Sequence, residues 1–506
     1  MKISNNIDDN IREFKRVYSD CSDIKMQEMY VGKNGKLKCF LAYIEVTLPG
    51  GKLADSAFSK LSDFLMTIDE ENVKSTIEND KACISELALK YTMEESVQIM
   101  LTGDAVMFVD GCGFAIKIPG SGYPAMSVQE TDSEKVIRGS NEGFSDSIKT
   151  NTALIRRRLR STGLKCREIN KGVRSHTNVD LLFVKDLVKP GLVSRIQHLF
   201  LQFEIDQIAD SGVLEQFAEK KWYSPFPQIQ TTKRPDVAVM ALLEGRVVVL
   251  SDNSPVAIIL PATMNNFLKT ADDYYNRTIA ASFARLIRYV AAFMSMTLPG
   301  LYLAVTNFHT QILPTSLLMS FYEARLGCPF PQVIEVLMME LAFELLREAG
   351  IRLPGAMGNT IGIVGGLIIG QAAVDANLVS PIVVILVAFT ALCSFAIPSE
   401  EFAFSFRILK FAVIIMSAWL GYFGFLITIY WVLLHLTKLR SFGYPYMMPF
   451  VGAELNGYED EKDSIIRFPL RKLKKRAIFA DENQRTKLKL KKLTRRVSEW
   501  GSISTI

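Results

Sequence analysis

The stretch FAVIIMSAWLGYFGFLITIYWVLLHL (Phe411–Leu436) contains no Asp, Glu, Lys or Arg. About 20 such residues cross the hydrocarbon of a bilayer, so this run alone sets part of the chain apart from a soluble globular protein. Three other segments have similar character. Ile279–Val305 is apolar except for Arg285 and Arg288, Met357–Val374 is apolar and glycine-rich, and Ser380–Pro398 has no charge until its last residues are passed. Four spans are therefore expected, with six as the upper bound. Ile312–Tyr322 and Gln332–Leu346 are short or interrupted by charge, which suits re-entrant, interfacial or tightly packed helices.

The remainder is ordinary. Charged residues make up 22% of the 506, too many for a chain that is membrane throughout, while a mean hydropathy of +0.17 is too high for a disordered one. β-rich runs occur at Cys39–Val46, Ala105–Val109, Phe114–Ile118, Leu181–Val184, Val237–Leu243, Val247–Leu250 and Val256–Leu260. Hairpins are expected at Asp110-Gly111 and Glu244-Gly245. Phe144, Ile148, Ile155 and Leu159 mark one face of a helix. The Pro/Gly/Ser-rich piece Ile118–Ser127 reads as a seam. The expected fold class is an N-terminal cytosolic α/β region of two small lobes, then an all-α polytopic membrane domain and a basic cytosolic tail. The expected divisions are a polar, mobile lead-in (1–25), two α/β subdomains (26–120 and 128–265), the transmembrane domain (275–440) and the tail (441–506).

Charge orients the chain. The N-terminus is polar and lacks the apolar core of a cleavable signal, so the first 260 residues are expected to stay in the cytosol. Arg277, Arg285 and Arg288 flank the first span, and Lys438 and Arg440 follow the last. Basic residues at both ends satisfy the positive-inside rule and require an even number of crossings. Arg285, Arg288, Lys438 and Arg440 are expected as membrane-interface anchors. Between Arg467 and Arg496 thirteen Lys and Arg face only Asp481 and Glu482. Such a tail is either a solvated basic extension or lies on anionic lipid headgroups, and both place it inside.

Little in the sequence points to an enzyme. A phosphate-binding loop, a metal-ligand cluster and a nucleophile elbow are all missing from it, and no cofactor is expected. The seven cysteines are scattered without a C-x-x-C pair, which suits a reducing compartment. A net charge of +5 is too slight to argue for nucleic acid. Arg156, Arg157, Arg158 and Arg160 form a cationic patch, read as a surface or subunit contact or as an anion or headgroup site.

Two patterns inside the apolar half carry more information. Gly358, Gly362, Gly366 and Gly370 recur every fourth residue, a slowly drifting stripe on one helix face. Each costs about 1 kcal/mol of helix propensity against alanine. Either a second helix packs on the groove, or the stripe lines a pore together with Gln371 and Asp375 at its inner mouth. Glu340, Glu344 and Glu348 also fall on one face of an apolar helix, with Arg347 beside Glu340. Isolated charges in hydrocarbon cost about 2.5–3.5 kcal/mol each on insertion scales. These carboxylates are therefore either paired with Arg347 or Arg325 on an amphipathic helix, or form an acidic vestibule for cations. A proton or ion relay through Glu340 and Glu344 is the transporter alternative.

Several long, collinear segments carry a family resemblance. They include RGSNEGFSDSIKTNTALIRRRLRS (Arg138–Ser161), KRPDVAVMALLEGRVVVLSDNSPVAIILP (Lys233–Pro261), DDYYNR (Asp272–Arg277), LPGLYLAVTNFHTQILPTSLLMS (Leu298–Ser320), FELLREAGIRLPGAMGNTIGIVGGLIIGQAAVDANLVSP (Phe343–Pro381) and LRSFGYPYMMPF (Leu439–Phe450). Together they resemble the A subunit of GerA-type spore germinant receptors, with gaps, from about Met29 to Phe450. The resemblance implies a protein of the spore inner membrane that starts germination together with a transporter-like B subunit, the main nutrient sensor, and a lipoprotein C subunit. It further implies a homo-oligomeric ring, a pentamer, that conducts small cations, with both terminal regions on the spore-core side. A non-conducting relay subunit, or a related auxiliary spore channel protein, are the alternatives.

Overall fold

The computed structural model describes residues 2–47, 61–63, 65–66, 88–120, 123, 134, 136–352, 366 and 368–489. Helix α1 (Ile7–Val17) opens the chain. The Asn6 side chain accepts from the Asp8 N–H, Asp8 and Asp9 occupy the first turn, and Lys15 and Arg16 the last. Ile7, Ile11 and Phe14 are buried on one face. The polar start of the chain is therefore not a mobile lead-in. Its charges lie on the outer face of a helix that helps close the first core.

Strands β1 (Ile24–Val31), β2 (Leu37–Ile44), β3 (Ala88–Lys90), β4 (Ala105–Val109) and β5 (Ala115–Ile118) form a sheet in the order β1-β2-β4-β5-β3. Helix α2 (Met93–Thr102) enters β4 through Gly103, whose left-handed φ ends the helix. Phe40, Val106 and Phe108 face α1 and α2, while Leu41, Met107 and Val109 face the opposite side.

A second sheet follows, of β6 (Leu164–Lys171), β7 (Thr177–Val184), β8 (Gln230–Thr232), β9 (Val247–Ser251) and β10 (Ala257–Leu260), ordered β6-β7-β9-β10-β8. This is the strand order of the first sheet repeated. Helix α3 (Ile148–Arg158) corresponds to α1, and α6 (Pro235–Leu243) to α2, while α4 (Leu192–Leu201) and α5 (Ser211–Ala218) are specific to this sheet. Val237–Leu243 is thus a helix and not the first arm of a hairpin. Pro235 sits in its first turn, and Ala238, Val239, Ala241 and Leu242 are buried. A helix covered on most sides loses the 3.6-residue alternation that would identify it.

The two sheets are joined through β6. Ser22 N donates to Cys166 O at 3.0 Å, and Arg156, fully buried, pairs with Asp23. Arg157 and Arg158 both pair with Glu142. The expected cationic patch is therefore largely neutralised within the chain, leaving Arg160 exposed.

Beyond Arg277 the chain is helical: α7 (Thr278–Phe308), α8 (Thr315–Glu323), α9 (Gln332–Arg352), α10 (Pro381–Phe395) and α11 (Glu400–Lys438). Among the described residues, α7 and α11 are long and apolar enough to cross a membrane. The seam at Ile118–Ser127 and the span at Met357–Val374 lie mostly outside the described residues.

Helix α11 does not run straight. Residues 402 and 435 would stand about 50 Å apart in a continuous helix, yet Phe402 and His435 both pack on the ring of Phe226, at 6.0 and 6.2 Å between centroids. The reversal is at Gly421, with φ +62° and ψ −140°. A Cβ at Gly424 would overlap the carbonyl of Met416, and one at Gly421 would lie 2.8 Å from the Phe308 ring. The run expected to be one span is a helical hairpin. Its two arms stand beside α7, whose far end meets the turn.

The segment after α11 returns to the second sheet. A small ladder joins β11 (Arg440–Ser441) to β12 (Tyr444–Pro445), Val188 bridges Ala480, and Asp481 N donates to Leu187 O at 2.8 Å. Leu473, Ile478 and Phe479 are buried. Up to residue 489 this part is packed chain and not a solvated extension; residues 490–506 lie outside the described residues.

Candidate functional site

Where α7 leaves the second sheet, four charged or polar side chains converge on two aspartates. Arg285 is fully buried and donates to Asp273 at 2.8 Å and to Asp463 at 2.7 Å. Arg288 reaches Asp273 at 2.9 Å. Lys269 and the Tyr274 hydroxyl meet Asp463 at 3.0 and 2.6 Å. Burial works against the charged form of Asp463, but Lys269, Arg285 and the Tyr274 hydrogen bond outweigh it and hold the carboxyl below its usual range. Arg285 and Arg288 thus tie the start of α7 to the returning C-terminal segment. Lys438 and Arg440 are exposed at the end of α11.

A second charged group lies higher, between α9 and α11. Lys410 and Glu340 are both buried and pair at 2.5 Å. Glu344 accepts from Arg407 at 3.2 Å and lies 3.4 Å from Lys410. Arg347 turns to Glu400 and Ser394, and Arg325 to Glu335. Glu340 therefore finds its partner on α11, where Lys410 introduces the long apolar run. Glu348 is exposed and pairs with Arg352 one turn on.

The glycine stripe is described only at its end, since Gly358 and Gly362 lie outside the described residues. A Cβ on Gly366 would touch Phe343 of α9 at 3.8 Å, and one on Gly370 would press on Val384 of α10 at 3.2 Å. Gln371 and Asp375 are exposed and hydrogen-bonded to each other at 2.9 Å. Asn377 lies beside Gly327, and Ser380 N donates to Glu335 at 3.1 Å. This is the end of the bundle near the α7–α9 connection, far from the sheets. Gln371 and Asp375 thus lie at the end of the bundle away from the sheets, the opposite end from the one expected for them. A four-residue spacing specifies a face but not which end of the bundle it adjoins.

A cleft of ≈ 360 Å³ at the sheet–bundle junction is lined by Glu215, Glu219, Phe226, Glu400, Glu401 and Arg407. Sequence reasoning missed it, because its residues come from segments almost 200 positions apart. Burial, reinforced by Glu401, Glu219 and Asp210, pushes the Glu215 carboxyl up to about 8. Its folded-state value is raised, so the protein takes up a proton on folding. Stability should therefore fall as pH rises from about 4.5 to about 8 and level off above. Glu215→Gln should flatten that slope, raising the unfolding midpoint at pH 8 and leaving it little changed at pH 4.5.

These features define a class: a duplicated α/β region carried on an apolar helical bundle that contains helices of membrane-spanning length. The profile of the Bacillus/Clostridium GerA spore germination proteins matches residues 12–479, and the chain belongs to that family. It is 36% identical over 469 residues to the "Uncharacterized membrane protein YfkQ" of Bacillus subtilis (strain 168), covering 92% of this chain and 90% of that one. It is also 36% identical over 418 residues to "Spore germination protein A1" of the same organism, covering 82% and 86%. The crystal structure of the N-terminal domain of the A subunit of the Bacillus megaterium spore germinant receptor GerK3 aligns with 52% of this chain and 98% of its own, at 24% identity. The TM-score of that alignment is 0.41.

Proposed function

We propose that this protein is the A subunit of a germinant receptor in the spore inner membrane. Five copies form a ring that conducts small cations when nutrient is sensed, acting with a transporter-like B subunit and a lipoprotein C subunit. Both terminal regions lie on the spore-core side. Counting each arm of α11, the apolar half holds enough helices for an even number of passes, in keeping with that sidedness. The observation that carries conduction is the exposed Gln371–Asp375 pair on a helix whose glycine side is turned inward. A carboxylate on an exposed face of an apolar bundle is stable where it meets water or a polar partner. A ring of such carboxylates at the distal mouth would concentrate cations.

A relay subunit without a pore is the second reading. It is favoured by Glu340, whose charge is paired with the buried Lys410, and by Gly366 and Gly370, which already have neighbours within one chain. Planar-bilayer recording separates the two. Conduction predicts unitary cation currents, reduced by Asp375→Asn and further by Asp375→Lys, with the oligomer intact by size. A ring of correct size that stays silent in the bilayer would sink the channel and leave the relay.

A further inference from the structure

The loop between α5 and β8 carries two lysines followed by two exposed aromatics: Lys220, Lys221, Trp222 and Tyr223. Trp222 is 88% exposed and Tyr223 61%. A single large aromatic left in water needs no explanation, but two beside each other at the foot of an apolar helix do. The loop is held against the last turns of α11. Ser224 Oγ lies 2.8 Å from His435 Nε2, the Tyr223 ring lies 6.4 Å from the His435 ring, and Lys221 donates to the carbonyl of Lys438 at 3.5 Å. Trp431, 64% exposed, also stacks on His435 at 6.4 Å, and Tyr430 beside it is 63% exposed.

Trp222, Tyr223, Tyr430 and Trp431 thus gather at one level. Lys221, Lys438 and Arg440 lie where α11 ends and the chain returns to the sheets, and Lys220 precedes Lys221 in the loop. Amphipathic rings at the headgroup level, with cations just outside, are the composition of a membrane interface. The nearby Glu219 carboxylate is turned away, accepting from Gln228 N at 2.7 Å.

We propose that the Lys220–Tyr223 loop of the second α/β lobe is a membrane-contact site. In it, Trp222 and Tyr223 enter the interface and the two lysines hold the phosphates of anionic lipids. This rests on the reading of α11 as membrane-embedded, and makes the α/β region itself a lipid-binding body. Its consequence is that lipid charge would bias how the second lobe sits against the foot of α11.

The test uses the full chain in vesicles of phosphatidylcholine with or without phosphatidylglycerol. The chain holds four tryptophans, Trp222, Trp419, Trp431 and Trp500. One variant keeps Trp222 alone (Trp419→Phe, Trp431→Phe, Trp500→Phe), and a second keeps Trp431 alone. In the phosphatidylglycerol vesicles, Trp222 emission should be blue-shifted and mostly lost to a spin label near the headgroups, with less loss to one at the acyl-chain end. Lys220→Glu with Lys221→Glu should abolish the difference between the two lipid mixtures.

Trp431 quenched by lipid label while Trp222 responds only to aqueous iodide would overturn the proposal and leave a protein partner as the occupant. If neither tryptophan meets lipid label, the membrane reading of α11 falls, and this one with it. The difference in emission between the unaltered chain and Trp222→Phe reports the same residue should the triple variants fold poorly.

Discussion

Gly424→Leu is expected to abolish the folded helical bundle. Gly424 lies against the backbone of Met416, eight residues earlier, a distance closed only because the chain reverses between them. A leucine there has no rotamer that avoids the Met416 carbonyl, and overpacking a close backbone contact costs at least about 1–3 kcal/mol before any backbone is displaced. Gly421→Val should be nearly as damaging. Its φ and ψ belong to a region open essentially to glycine, at about 1–3 kcal/mol for other residues, and its side chain would also strike Phe308. The expected result for both is loss of monodisperse protein in detergent, or a fall of many degrees in the unfolding midpoint. Gly366→Ala is the control. Its Cβ would make an ordinary contact with Phe343, so that midpoint should stay or rise slightly. A straight helix across 400–438 would tolerate all three changes alike, which would refute the hairpin.

Lys410→Ala should be the most destabilising charge change in the bundle. It leaves Glu340 buried with no cation, and breaking a buried pair by removing one partner typically costs about 3–5 kcal/mol. Glu340→Gln should be milder, because Lys410 keeps Glu344 at 3.4 Å. The double change Lys410→Met with Glu340→Leu should recover much of the loss, since an apolar pair of similar volume replaces two desolvated charges. Thermal unfolding of the unaltered chain, Lys410→Met, Glu340→Leu and the double variant completes a double-mutant cycle. The same set bears on ion choice. A neutralised pair predicts that Glu340→Gln leaves cation preference unchanged, whereas a vestibule predicts a shift.

The outline of this molecule was legible from residue type. The glycine turn at Asp110-Gly111, the β-branched strand Val247–Ser251 and the apolar segments of the second half are local patterns, and local patterns survive in the fold. Three misreadings share a cause. α1 looked like a polar leader because its buried apolar residues are only Ile7, Ile11 and Phe14, and α6 looked like a strand because most of its residues are buried. The cationic patch looked free because Asp23 and Glu142 lie well outside its helix. In each case the decisive neighbour is remote in sequence.

Hydropathy, glycine spacing and charge placement by themselves divided the chain into an α/β part and an apolar helical part, and picked out the acidic and glycine-bearing helix faces. Those properties depend on a residue and its near neighbours along the backbone. Only the tertiary structure decided that the longest apolar run doubles back, that Glu340 belongs to Lys410, that Asp375 lies at the distal end and that the basic segment is strapped beneath the second sheet. Each of those outcomes follows from which surfaces exclude water and each other's atoms in three dimensions. A one-dimensional pattern states that a face must be covered without stating by what.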